Sequence, residues 1–324
     1  MDELDLLRTL RADGSPPSDA ARARAERSWR RAATPPVDRR TPRHARAFAV
    51  AALVAMTALG IALVSGSRQG VEPAAAALRD AAELARSQPA AVLPPGTYRY
   101  QRILNVTTIF RAAHGRFDGR RRPQGFAFLA RQRNTQDVWQ GRGRGLERFT
   151  NERPVLPTAR DRRGWLAAGR PALPPAGTLE VPLGAARPLR LPSDRDALYA
   201  RFERRAARRA SGRPSAYVFQ LAGEALADPR ATPAQRAALF EVLARVPGVV
   251  ALGSRTDALG RRGLAFTMRD ELDPSRTTLL VDPKTSQLLE RSTRAAPGSP
   301  IPAGRVTWIA TYGVPRIVSA IGRR

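Results

Sequence analysis

Cysteine is absent from this 324-residue chain, and lysine nearly so, with Lys284 the single one among 55 basic residues. The missing thiols rule out disulfides, thiol catalysis, a lipoprotein anchor and any cysteine-based zinc cluster. Histidine is limited to His44 and His114, and aromatics make up 6% of the chain. His114 stands beside Gly115 and Arg116 in a loop-like stretch, with no spacing that would supply both a nucleophile and an orienting acid. The acidic run Asp270-Glu271-Leu272-Asp273 lacks the glycine and terminal glutamate of a calcium loop. Gly141, Gly143 and Gly145 match neither a dinucleotide fingerprint nor a phosphate loop, and read as a hairpin turn. No catalytic residue, metal or cofactor is expected, and the role is expected to be non-enzymatic.

What the chain has instead is arginine. The formal net charge is +27, and the bias of arginine over lysine, with abundant alanine, glycine and proline, reads as GC-rich coding. It also has one uncharged run, Ala47 to Ser67, preceded by Arg39, Arg40, Arg43 and Arg46. A helix rises about 1.5 Å per residue, so about 20 apolar residues cross a bilayer core. The run predicts a transmembrane helix over 47–67, and the basic flank predicts a cytoplasmic N-terminus with the C-terminal part outside. That topology places most of the positive charge, residues 68–324, on the extracytoplasmic side. Nucleic acid is then not expected, and anionic lipid or an acidic wall polymer is the expected contact.

The organisation follows: a cytoplasmic helical tail at 1–46, the span at 47–67, a juxtamembrane helix and linker at 68–96, and an extracytoplasmic domain at 97–324. In the tail, Leu4, Leu7 and Leu10 share one face of a short helix that cannot be stable alone, which points to a cytoplasmic protein partner. In the outer part, helices are expected over 73–87, 161–168, 194–209 (capped by Ser193), 215–227 and from Thr232-Pro233 to Val246. Strands are expected over 97–110, 126–140, 146–151, 249–254, 263–268, 277–281, 287–294 and 305–312. The expected fold class is α+β: one transmembrane helix, then a domain with a mainly antiparallel sheet in two groups of strands and a helical middle section. On the polar side of one middle helix, Arg204, Arg205, Arg208 and Arg209 cluster, and Arg120 to Arg122 form a second cluster. Both are contact points for an anionic lipid or polymer.

Several stretches carry a resemblance. They are the opening MDELDLLRTLRAD, the Ala/Arg-rich segment after it, the single uncharged run, and Pro-Pro-Gly-x-Tyr-x-Tyr at 94–100. Asp161-Arg162-Arg163-Gly164-Trp165, Leu191-Pro192-Ser193-Asp194, Thr256 to Arg261 and Val281 to Thr285 add to them. Together they resemble a family of uncharacterised single-pass membrane proteins of high-GC actinobacteria. Its members often sit beside extracytoplasmic-function sigma factors, which implies an anti-sigma-like regulator whose outer domain senses and whose tail binds a sigma factor. The zinc-type anti-sigma motif itself is missing. A fainter resemblance, to lipoprotein-carrier and sigma-regulator domains, implies a curved sheet around helices and an envelope module for lipid or anionic polymer.

Overall fold

The computed structural model describes residues 71–90, 92–114, 124–185, 189–209, 214–270 and 273–323. Five helices and ten strands lie among them. The helices are α1 (Val71–Ser87), α2 (Ala159–Ala167), α3 (Arg195–Arg209), α4 (Pro214–Leu226) and α5 (Pro233–Arg245). The strands are β1 (Tyr98–His114), β2 (Gln124–Gly141), β3 (Gly145–Asn151), β4 (Gly177–Leu183), β5 (Val250–Thr256), β6 (Arg262–Asp270), β7 (Ser275–Val281), β8 (Leu288–Ala295), β9 (Val306–Tyr312) and β10 (Arg316–Val318).

These observations correct the expected fold class and location. The two groups of strands are one ten-stranded antiparallel sheet, ordered β4-β3-β2-β1-β9-β8-β7-β6-β5, with β10 added on β1. Among the described residues no helix is long and apolar enough to cross a membrane. The longest, α1, has 17 residues and buries only one side, Ala74, Leu78, Ala82 and Ala85, while Arg79, Asp80, Glu83 and Arg86 interrupt it. A single-pass location at a cell membrane therefore has no support here. The expected span at 47–67 and the tail with Leu4, Leu7 and Leu10 lie outside the described residues, as do Arg120 to Arg122.

Strands β1 and β2 form a long hairpin paired from Tyr98↔Gly141 to His114↔Gln124. The richness of β1 in Tyr, Ile, Val and Thr suits a pleated, half-buried surface. The turn into β3 is closed by the Gly141 amide, which donates to the Arg144 carbonyl at 2.9 Å. A β-carbon at Gly141 would stand 2.8 Å from the Tyr98 ring, and one at Gly145 would stand 2.5 Å from the Trp139 carbonyl oxygen. Glycine is needed there for space.

The far part of β2, beyond β3, would be an open edge, a template for unwanted pairing. It is blocked in two ways. Arg131 exchanges both backbone hydrogen bonds with Val155, at 2.8 and 2.9 Å. The carboxylate of Asp161 on α2 accepts from the Leu129 amide at 2.9 Å.

The main core lies between the β5–β9 half of the sheet and helices α1, α3, α4 and α5. Phe266, Met268, Leu279, Val281, Ala310 and Tyr312 point into it from the strands, and Leu198, Phe202, Phe219, Leu239, Phe240 and Leu243 from the helices. Each such side chain stabilises by about 1.5–3 kcal/mol on burial. Gly223 lets α4 settle on β7, since a β-carbon there would lie 2.7 Å from the Leu279 methyl. Helix α5 starts at a capping box, in which the Thr232 hydroxyl accepts from the Gln235 amide and the Gln235 side chain accepts from the Thr232 amide. On the opposite sheet face, Ala265, Leu280 and Leu289 form a smaller cluster. On β2, the Trp139 indole N–H donates to the Arg323 carbonyl at 2.7 Å.

Candidate functional site: an arginine cleft between two helices

Helix α3 is capped by Asp194, not by Ser193. The Asp194 carboxylate accepts from the Ala197 amide at 2.8 Å, whereas no such bond is made by Ser193 among the described residues. From that start, Leu198, Phe202 and Ala206, spaced four apart, bury into the core. The helical period then turns Arg201, Arg204, Arg205 and Arg208 to the other side. With Tyr217 of α4 they line a cavity of about 400 Å³. The arginine stripe runs about 10 Å along the helix axis.

Three of the four arginines expected from the sequence, Arg204, Arg205 and Arg208, are thus brought to one cleft, and all three are exposed. Arg209 belongs to the same helix, but its side chain lies outside the described residues. Two lining residues were missed. Arg201 sits one turn before Arg205 and donates to the Arg190 carbonyl at 2.8 Å, while Tyr217 comes from the next helix. Spacing alone identifies Arg201, but Tyr217 needed the helix packing.

The cleft is electrostatically one-sided. Among the described residues no carboxylate lines it. Among the described residues, Arg204, Arg205 and Arg208 have no acidic partner. The nearby arginine that is neutralised is Arg245, which pairs with Asp196 and lies 5.7 Å over the Tyr199 ring. The hydrogen bond from Arg245 holds the Asp196 carboxyl below its ordinary value. Burial, and then the neighbouring Glu203, push the Tyr199 hydroxyl up. Guanidinium forks match phosphate, sulfate and carboxylate oxygens two at a time. The cleft therefore suits a ligand carrying several negative charges.

Other polar groups hold the sheet together. Asn105 donates to Asn134 at 2.9 Å and to Gln136 at 3.4 Å, and Gln136 donates to Glu147. This row crosses three strands and satisfies itself. Asp137, buried on the other face, accepts from the Tyr100 hydroxyl at 2.7 Å and from Arg102 Nε at 2.8 Å. The Asp257 carboxylate accepts from the Leu259 and Arg261 amides and from Arg261 Nε, which fixes the β5–β6 turn. Arg261 reaches on to the Leu289 and Tyr312 carbonyls. Beneath this turn, burial raises the Glu290 carboxyl above its ordinary value, and the Asp257 charge adds to the shift. The Thr311 hydroxyl donates to this carboxylate at 3.2 Å.

His114 ends β1, and its side chain lies outside the described residues. Within the acidic run, Asp270 accepts from the Asp273 amide at 3.2 Å, and residues 271–272 lie outside the described ones. Among the described residues no group of three potential metal ligands is assembled. No family model, curated protein or solved structure matches the chain. The resemblance to sigma-factor-linked membrane proteins therefore contributes no argument about the site.

Proposed function

We propose that the chain is a non-enzymatic binding module for a ligand with a run of anionic groups, held in the α3–α4 cleft. The observation that carries this reading is the convergence of Arg201, Arg204, Arg205 and Arg208 on one cavity whose lining, among the described residues, holds no carboxylate. A net charge of +27 adds a long-range field that attracts such a ligand. The regulator reading depends on the leucine face at Leu4, Leu7 and Leu10, outside the described residues, so no geometry favours it. The argument against nucleic acid depended on the expected span and falls with it, so duplex DNA becomes an arm of the test.

The test is binding of inorganic polyphosphate to the full chain across a salt series, compared with a triple variant R204Q/R205Q/R208Q. The expected result is saturable binding that weakens with salt, and a loss of about tenfold or more with a shallower salt dependence in the variant. Duplex DNA at equal phosphate concentration is expected to bind more weakly, because a stripe about 10 Å long on one helix fits a single thin strand of charges better than a duplex. Unchanged polyphosphate binding in the folded variant overturns the reading.

A further inference from the structure

A second group of guanidiniums lies away from the cleft, where the start of β1 meets the loop between α4 and α5. Three arginines converge on residues 228–231. Arg99 of β1 donates from Nη1 to the Pro229 carbonyl at 2.8 Å. Arg236 of α5 donates from Nη1 to the Ala231 carbonyl at 3.3 Å. Arg230 forks onto Asp228, with Nη2 2.6 Å and Nε 2.9 Å from its oxygens. Three half-buried guanidiniums thus gather at this corner, one of them forked onto Asp228. Desolvated like charges are costly unless something negative joins them.

Two orphaned polar atoms lie at this corner. Arg236 Nε is buried and has no hydrogen-bond partner, and the same is true of Gln140 Oε1. Both are neighbours of Arg99. Gln140 is its cross-strand partner on β2, so their side chains leave the same face of the sheet. Arg236 is close enough for its charge to be felt: burial, and then Arg99, lower the Arg236 pKa, while burial is also the largest influence lowering that of Arg99. Leaving a buried donor or acceptor unsatisfied costs about 1–3 kcal/mol. Here one of each kind is left beside gathered guanidiniums.

We propose that this corner binds a small tetrahedral oxyanion that still carries a hydroxyl, the chemistry of hydrogen phosphate or of a phosphate monoester in its monoanionic form. Its oxygens accept from Arg236 Nε and the Arg99 guanidinium, and its hydroxyl donates to Gln140 Oε1. Sulfate offers the same oxygens at neutral pH but no hydroxyl, so it leaves Gln140 unsatisfied. The site shares no residue with the α3–α4 cleft, and either can fail without the other.

The test uses the full chain with inorganic phosphate as the probe, reading the arginine Nε–Hε resonances by NMR. The Arg236 resonance is expected to shift saturably with phosphate, and sulfate is expected to bind several-fold more weakly. R236Q is expected to weaken phosphate binding by about tenfold or more, since a charge-assisted fork is lost. R236K, which keeps the charge and the fold, is expected to weaken it as well. Q140M is expected to bring phosphate and sulfate to equal affinity. An Arg236 resonance that does not move with phosphate overturns the proposal and leaves water as the partner of both orphans. Equal affinity for phosphate and sulfate in the unaltered chain overturns the role of the hydroxyl.

Discussion

The α-carbon of Gly164 on α2 faces the carbonyl of Ala127 on β2 so closely that a β-carbon would lie 1.9 Å from that oxygen. No real β-carbon tolerates such an approach, and the obstacle is backbone, which cannot swing away. G164A must therefore lift α2 from the edge of β2. The lift also pulls Asp161 from the Leu129 amide and Arg160 from its place 5.0 Å over the Phe126 ring. The expected cost is at least about 2 kcal/mol. Denaturant unfolding checks it, together with faster amide exchange at Leu129.

Glu290 gives a pH dependence whose sign can be worked out. Its ordinary carboxyl value is 4.5, and burial raises it in the folded state. The folded chain therefore holds this proton more tightly than the unfolded chain does. The stabilisation is fully present below the unfolded value and is lost as pH rises through the folded one. E290Q keeps an oxygen to accept from the Thr311 hydroxyl, 3.2 Å away, without the charge. It is expected to stabilise the protein at neutral pH and to flatten the pH profile in that window. Melting temperatures of both proteins across pH 4 to 8 check this.

The arginine cleft sets stability against binding. Arg201 with Arg205, and Arg204 with Arg208, are like-charged pairs four residues apart on one helix. Such pairs cost about 0.2–0.5 kcal/mol each. R205Q and R208Q are each expected to leave stability unchanged or raise it by a few tenths of a kcal/mol, while polyphosphate binding falls. Loss of binding together with loss of helicity by circular dichroism would show instead that these side chains support the fold.

The capping box at the start of α5 holds both the helix and a neighbouring loop. Gln235 Nε2 also donates to the Leu189 and Leu191 carbonyls, each at 2.8 Å. T232A is expected to cost about 1 kcal/mol, the usual value of a lost N-cap. Q235A is expected to cost more, because two loop carbonyls lose their donor as well. Chemical denaturation of the two variants side by side separates the contributions.

Elements held by local signals were legible in the sequence, and elements held by distant partners were not. Thr232, Pro233 and Gln235 announce α5 from within four residues, and the spacing of Leu198 and Phe202 announces the inner side of α3. Strand β4 was missed because Gly-Thr-Leu-Glu-Val-Pro-Leu follows a stretch rich in proline and contains Pro182, and it becomes a strand by pairing with β3. Strand β10 has three residues and takes its form from Tyr98 to Tyr100. The union of the two strand groups rests on contacts such as Ile103 with Tyr312, which no local pattern records. The sites divide in the same way. Arg204, Arg205 and Arg208 are neighbours on one helix turn and the next, so their cluster shows in the sequence. Arg99, Gln140 and Arg236 come from two strands and a helix, and only folding brings them to one corner.

The pairing of β1 with both β2 and β9 has a consequence for synthesis. One edge of β1 is satisfied by the hairpin as soon as β2 has emerged. The other must wait for Val306–Tyr312, about two hundred residues later, while the ribosome adds roughly 5–20 residues per second. For at least about ten seconds a long strand with an open ladder of amides and carbonyls is exposed on the nascent chain. The interval in which this protein is most vulnerable to self-association is thus set by the position of its ninth strand in the gene.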